Sequence, residues 1–299
     1  MTEPGIIDQT AKAAFSALQA KARDMRGGDT HSLLVVYAVE SFLRRLAASE
    51  HTEQLVLKGG MLMAAHDIRA MTRDADLSAH AMTGDETTVR RIVAKICILE
   101  PNPLDGIVID PVTIKTETMR AEDEYQGVRC KLVATLGRAR IPFALDLSFG
   151  DPQWSMMISL ESVIDRPAIK LHAYPLALNL AEKIVTAMQR RETNTRDRDF
   201  ADLWVTSRRH RLDATELRGH ILAIARHRRQ AVITMAQALA HMPDREPPYE
   251  AMVARMSYLS PPPAHWSKLI EEVITFVDPV LADDNGHLSH WDPKQLRWR

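Results

Sequence analysis

Leu55-Val-Leu-Lys-Gly-Gly-Met-Leu-Met-Ala-Ala-His66, followed by Arg69-Ala-Met-Thr-Arg-Asp-Ala-Asp-Leu-Ser78, constrains this chain more than any other stretch. It reads as a short buried strand over Leu55–Leu57, a Gly-Gly turn and the start of an apolar helix. A basic loop comes next, then a second strand carrying Asp74 and Asp76. Glycines at 59 and 60 permit a tight turn and let a phosphate approach bare amides and a helix N-terminus. Carboxylates two apart on a strand point to the same side, so both reach one divalent cation. The combination predicts a site for a nucleoside triphosphate with Mg²⁺, and the chemistry expected there is nucleotidyl transfer.

Around this stretch the pattern of apolar residues divides the chain. Residues 6–24 and a longer segment capped by Asp29-Thr30 read as amphipathic helices, and a further helix runs from Gly84-Asp85-Glu86 to the stop at Pro101-Asn-Pro103. The period then drops to two over Val112–Thr118, Val128–Leu136 and Ile141–Ser148, which predicts strands, with a weaker apolar segment over Ile158–Leu171. From Tyr174-Pro175 the reading is almost wholly helical, with helices expected at 199–209, 214–226, 229–242, 249–258 and 265–282. The expectation is an α+β architecture: a mixed-sheet domain over 1–172, then a helical domain over 173–299 that contributes Lys and Asp to the site.

Length and composition agree with this and exclude alternatives. The 299 residues suffice for two cores. Two cysteines, Cys97 and Cys130, without Cys or His at ligand spacing, argue against a disulfide scaffold or a zinc site and fit a reducing compartment. There is no apolar run of eighteen residues and no basic-then-apolar leader, so the expectation is a cytoplasmic protein without a membrane anchor.

Three further groups could carry chemistry. Asp146 sits in the apolar strand Phe143-Ala-Leu-Asp-Leu, either buried at a cost or lining a site. With Asp74 and Asp76 it would supply a carboxylate set for metal-assisted transfer if the strands are neighbours. The same spacing is equally compatible with a solvated turn for Asp74 and Asp76 and an arginine partner for Asp146. Lys183 could reach a triphosphate, with Asp199 and Asp202 on one helix face to orient it or Arg196; a self-paired Arg/Asp face would explain that cluster too.

In this order and spacing, four pieces resemble the AbiEii/AbiGii family of nucleotidyltransferases, toxins of bacterial toxin–antitoxin pairs. They are Lys58-Gly-Gly60; Thr72-Arg-Asp-Ala-Asp-Leu-Ser78; Leu145-Asp-Leu-Ser-Phe-Gly-Asp151; and Tyr174-Pro-Leu with Ala181-Glu-Lys183 leading to Arg196 and Arg198-Asp-Phe-Ala-Asp-Leu203. The resemblance implies a polymerase-β-like nucleotidyltransferase domain followed by a helical one. It assigns Asp74, Asp76 and Asp146 to the metal; Asp74, Asp76, Asp146, Lys183 and Asp202 to catalysis; and Lys58, Gly59, Gly60, Lys183, Arg196 and Asp199 to the nucleotide. Met61 departs from the family, many of whose members place a small hydroxyl residue after the glycines. The resemblance extends to mycobacterial toxins of the group, and it implies attachment of nucleotides, pyrimidines preferentially, to the 3′ end of tRNA, which blocks aminoacylation. An antitoxin partner is implied as well.

The charge pattern bears on the acceptor. Between 183 and 229 basic residues outnumber acidic ones twelve to six, although the whole chain carries a formal charge of −1. Arg208, Arg209 and Arg211, with Arg226, Arg228 and Arg229, are the expected RNA contacts; a solubilising helical face is the other reading. Thr72, two residues before Asp74, is a candidate regulatory phosphorylation site. Transfer to a small acceptor, or nucleotide binding without catalysis, are the competing functions.

Overall fold

The computed structural model describes residues 4–25, 28–70, 72–120, 126–150, 152, 154–256, 260–282 and 286–299. The chain forms two compact units: Met1–Ala65 with Met71–Tyr174, and His66–Ala70 with Pro175–Arg299.

The first unit opens with two helices, α1 (Pro4–Asp24) and α2 (Thr30–Ala47). Asp29 caps α2 as its sequence predicts, accepting from the amides of His31 and Ser32. The remaining elements are β1 (Leu55–Lys58), α3 (Gly59–Ala65), β2 (Asp74–Ala79), α4 (Glu86–Cys97), β3 (Ile107–Ile109), β4 (Lys115–Arg120), β5 (Gln126–Leu136), β6 (Ala139–Phe149), β7 (Met156–Leu160) and β8 (Ile169–Ala173). The strands form one mixed sheet in the order β3-β5-β6-β2-β1-β8-β7, with β4 also paired to β5. α2 packs on β6 and β8. Its face of the sheet is apolar: Val128, Cys130, Leu132, Phe143, Leu145 and Leu147 alternate along β5 and β6 and are all buried. The residues between them point to the other face, and that face carries the charged groups.

Local chemistry moves several expected boundaries. Val112 and Thr113 lie in a 3-10 turn, Pro111–Thr113, capped by Asp110, so the strand begins only at Lys115. β3 has three residues, too few to show a period. The weak segment 158–171 is two antiparallel strands, β7 and β8, with Met156 paired to Ala173.

The second unit contains α5 (Leu176–Arg190), α6 (Asp197–Arg209), β9 (Leu212–Asp213), α7 (Ala214–His227), α8 (Met235–Leu239), α9 (Glu246–Arg255), α10 (Trp266–Ala282), β10 (His290–Asp292) and β11 (Arg297–Trp298). α10 packs against α6, α7, α8 and α9. The helix expected over 229–242 shrinks to α8, because Thr234 and Gln237 form a capping box that starts the helix there. The helix expected over 249–258 begins earlier, at Glu246, with the prolines in its first turn; residues 257 and 258 lie outside the described residues. The three short strands β9, β10 and β11 form a small sheet that the helical reading missed. It is held by aromatic packing: Trp291 donates its indole N–H to Ser207 O, Trp298 donates to Phe276 O, and the Phe276 and Trp298 rings stack at 5.9 Å.

Candidate active site

The site follows from sheet register. β2 runs parallel to β6 with Asp76 opposite Asp146, and antiparallel to β1 with Lys58 opposite Asp76. On the other side β6 pairs with β5, placing Arg129 opposite Asp146, and β4 adds Glu117 opposite Arg129. Directly paired residues share a face. One row across five strands therefore reads Glu117, Arg129, Asp146, Asp76, Lys58, with Asp74 two residues before Asp76 on the same face. The expected gathering of Asp74, Asp76 and Asp146 on neighbouring strands is present in this unit.

The glycine turn is built around Asp76. Gly59 has φ +60, and a Cβ there would lie 2.0 Å from Asp76 Oδ2, so only glycine tolerates both the conformation and the approach. The Gly60 amide donates to Asp76 Oδ2 at 3.2 Å. The amide expected to meet a phosphate thus already holds a carboxylate in position. Met61 is fully buried, which explains why an apolar residue serves where a hydroxyl was expected. Lys58 Nζ lies 5.4 Å from the Tyr174 ring centroid, and Tyr174 donates to Ser78 Oγ at 2.8 Å. The Thr72 hydroxyl donates to Asp74 O at 2.9 Å.

An arginine partner for Asp146 was one of the two readings of the sequence, and Arg129, which the sequence did not single out, is that partner. Its guanidinium grips Asp146 with Nε on Oδ1 at 2.8 Å and Nη2 on Oδ2 at 2.9 Å, and Nη2 lies 4.0 Å from Asp74 Oδ2. Burial pushes the Asp146 carboxyl above the usual range; Arg129 pulls it down, and the charges of Asp76 and Asp74 push it up. The sequence did carry a signal, since Arg129 and Lys131 alternate with Val128, Cys130 and Leu132 in a single strand.

Among the described residues, no three His, Cys, Asp or Glu side chains stand ready as a metal site. The donor chemistry nevertheless fits a hard divalent cation at Asp74 and Asp76, an all-oxygen pair in a locally anionic setting. Asp146 has both oxygens engaged by Arg129.

The second unit holds the other cluster. Lys183 is buried and donates to Asp199 Oδ1 at 2.5 Å and Asp202 Oδ2 at 3.0 Å. Burial alone would lower its pKa, but Asp199 and Asp202 more than offset this and keep it a cation. Arg196 Nε pairs with Asp199 Oδ2 at 2.6 Å, and buried Arg69 lies 3.6 Å from Asp202. Asp199 thus contacts both Lys183 and Arg196, and Asp202 contacts Lys183; the part of Arg69 was missed. The arginines proposed for RNA divide. Arg208 pairs with Glu272 and lies over the Trp204 ring, and Arg228 is held by Glu182, Thr186 and Gln189. Arg209, Arg211, Arg226 and Arg229 are exposed.

Residues 41–272 match the family described as nucleotidyl transferase AbiEii toxin of type IV toxin–antitoxin systems. The chain belongs to this family. It is a nucleotidyltransferase toxin, and the match spans both the carboxylate row and the Lys183 cluster. The fold is similar to that of MenT4, a nucleotidyltransferase toxin from Mycobacterium tuberculosis, at a TM-score of 0.50 and 13% identity over 96% of each chain. JHP933 from Helicobacter pylori shows 13% identity over 69% of this chain and 82% of its own, at a TM-score of 0.39. A search of curated proteins by sequence found no match. No helix among the described residues is long and apolar enough to cross a membrane.

Proposed function

We propose that this AbiEii toxin moves a nucleoside monophosphate, preferentially a pyrimidine, from a nucleoside triphosphate to the 3′ end of tRNA with Mg²⁺ as cofactor, blocking aminoacylation and translation in the cytoplasm. The observation that carries the chemistry is the pairing of Asp76 with Asp146 across β2 and β6, with Asp74 on the same face. The tRNA end and the base preference rest on the resemblance to mycobacterial toxins of the family.

Asp74 and Asp76 would hold Mg²⁺, which when bound neutralises charge on the triphosphate. Asp146 would accept the proton of the acceptor's 3′-hydroxyl as that oxygen bonds to the α-phosphorus and the bond to pyrophosphate breaks. A carboxylate offers about four lone-pair sites, so Asp146 keeps accepting capacity while Arg129 orients it. Lys58, at the end of the row beyond Asp76, is the first unit's cation for the triphosphate, and Gly59 and Gly60 shape its approach. Lys183 and Arg196, held by Asp199 and Asp202, are assigned to the nucleotide by the family pattern. Exposed Arg209, Arg211, Arg226 and Arg229 are assigned to RNA. A phosphate on Thr72 would place a dianion beside Asp74 and switch transfer off. The cognate antitoxin is the partner.

The test is incubation with bacterial tRNA, Mg²⁺ and each α-labelled nucleoside triphosphate. Label in tRNA, absent with Asp74→Ala or Asp76→Ala, supports the reading. Label on protein or on a small acceptor, or nucleotide binding without transfer, overturns it in favour of the competing functions.

A further inference from the structure

The carboxylate row opens on one side into a solvent-facing cleft of about 760 Å³ within the first unit. Five cations line it, Arg73, Lys115, Arg129, Lys131 and Arg140, against one acid, Asp74. Register places four of them on the face that carries Asp146. Lys115 pairs with Lys131, Lys131 with Ala144, Thr135 with Arg140, and Arg129 with Asp146. Along β6 the charge runs six residues from Arg140 to Asp146, roughly 20 Å at the rise of a strand.

Two of the five cations have acidic partners and three do not, among the described residues. Arg129 is spoken for by Asp146, and Lys131 pairs with Glu117 in an exposed bridge. Arg73 meets the neutral hydroxyl of Ser32. Lys115 and Arg140 are exposed and have no acidic partner among the described residues. Like charges in excess of their acidic partners on a rigid sheet face make a fixed positive potential. A triphosphate concentrates its charge within one short group, whereas these cations are spread along a track that ends at Asp74. The floor between them includes Val133 opposite Pro142, apolar surface suited to ribose and base.

We propose that this cleft is the acceptor track: the sugar-phosphate backbone of the RNA strand lies along Arg140, Lys131 and Lys115, and its 3′ end is delivered to the Asp74–Asp146 side of the row. The nucleotide enters from the Lys58 side of Asp76. This rests on the nucleotidyl-transfer reading for its consequence, but RNA binding in the cleft is measurable without transfer.

The test uses Lys115→Glu/Arg140→Glu, with Lys115→Ala/Arg140→Ala as a milder pair, neither residue being in the catalytic machinery. RNA affinity is measured with a labelled single-stranded oligoribonucleotide over a salt series, and nucleotide affinity by Mg²⁺-nucleoside-triphosphate protection against melting. The expected result is at least a tenfold loss of RNA affinity for the charge reversal. The salt slope should be shallower by about 0.7 for each phosphate contact removed, with nucleotide protection unchanged. In the transfer assay the KM for RNA should rise and that for nucleotide should not. Unchanged RNA affinity overturns the proposal, as does loss of nucleotide protection with RNA affinity retained. If the wild type binds RNA through the cleft but transfers nothing to it, the track stands and the transfer reading falls.

Discussion

Arg129 and Asp146 face each other across β5 and β6 in a two-pronged ion pair, 2.8 and 2.9 Å, on the face where Asp74 and Asp76 also project. The arginine pairs directly with one carboxylate of the cluster and lies 4.0 Å from a second, Asp74.

Removing that arginine should cost more than removing the pair. Arg129→Ala leaves Asp146 beside Asp76 and Asp74 without its ion-pair partner, whereas Arg129→Ala/Asp146→Asn lightens the cluster. Chemical denaturation should place the single variant below the double variant, with a coupling energy on the order of 1 kcal/mol for a partly exposed pair. Mg²⁺ should raise the melting temperature of Arg129→Ala more than that of wild type, since it binds only the folded cluster. A cation response that persists after Asp74→Asn and Asp76→Asn would place the ion elsewhere.

Gly59→Ala tests the seating of Asp76. The new methyl would overlap Asp76 Oδ2 and sit at φ +60, a conformation that costs an L residue about 1–2 kcal/mol. Transfer should fall about a hundredfold or more while circular dichroism still reports a folded chain. Wild-type activity in Gly59→Ala would show that the position of Asp76 is unimportant.

Lys183→Ala should behave unlike Asp74→Ala. Buried Lys183 is sandwiched between Asp199 and Asp202, and stripping one partner from a buried ion pair costs about 3–5 kcal/mol. The lysine variant should therefore melt well below wild type, and Asp74→Ala should melt near it. A Lys183→Ala protein that is inactive yet as stable as wild type would assign the lysine to chemistry alone.

Glu40 gives a pH signature away from the site. It is buried on α2 and accepts from the Ser162 hydroxyl and the Val163 amide, and burial pushes its pKa up to about 7. A carboxyl whose folded pKa is raised favours folding at low pH and loses that advantage as pH climbs toward the folded value. Stability should decline between about pH 4.5 and 7 by up to about 3 kcal/mol from this group and then level off. Glu40→Gln, which mimics the protonated form, should flatten that segment of a melting-against-pH curve; an unchanged slope would remove Glu40 as its source.

Much of this was legible in residues close together in the chain. Asp29 before a helical run, Gly59-Gly60 after Leu55–Leu57, alternation along 141–148 and the Asp74/Asp76 spacing each act within a few residues, where backbone sterics and side-chain period decide the outcome. Helical spacing likewise placed Asp199 and Asp202 on one face, whereas their contact with Lys183 joins two helices. The short strands β3, β9, β10 and β11 escaped because three residues or fewer have no period, and their stability comes from partners far along the chain.

The sequence by itself determined that Asp74 and Asp76 share a face, that Asp146 lies in a buried strand, and that the chain is AbiEii-like. Only tertiary structure decided that Arg129 would grip Asp146, that the Gly60 amide would hold Asp76, and that Lys115, Lys131 and Arg140 would line one cleft while Arg208 and Arg228 turned to internal acids. The reason is register. Which side chains meet across strands depends on hydrogen-bond pairing between segments dozens of residues apart, and a shift of one residue would send each to the opposite face.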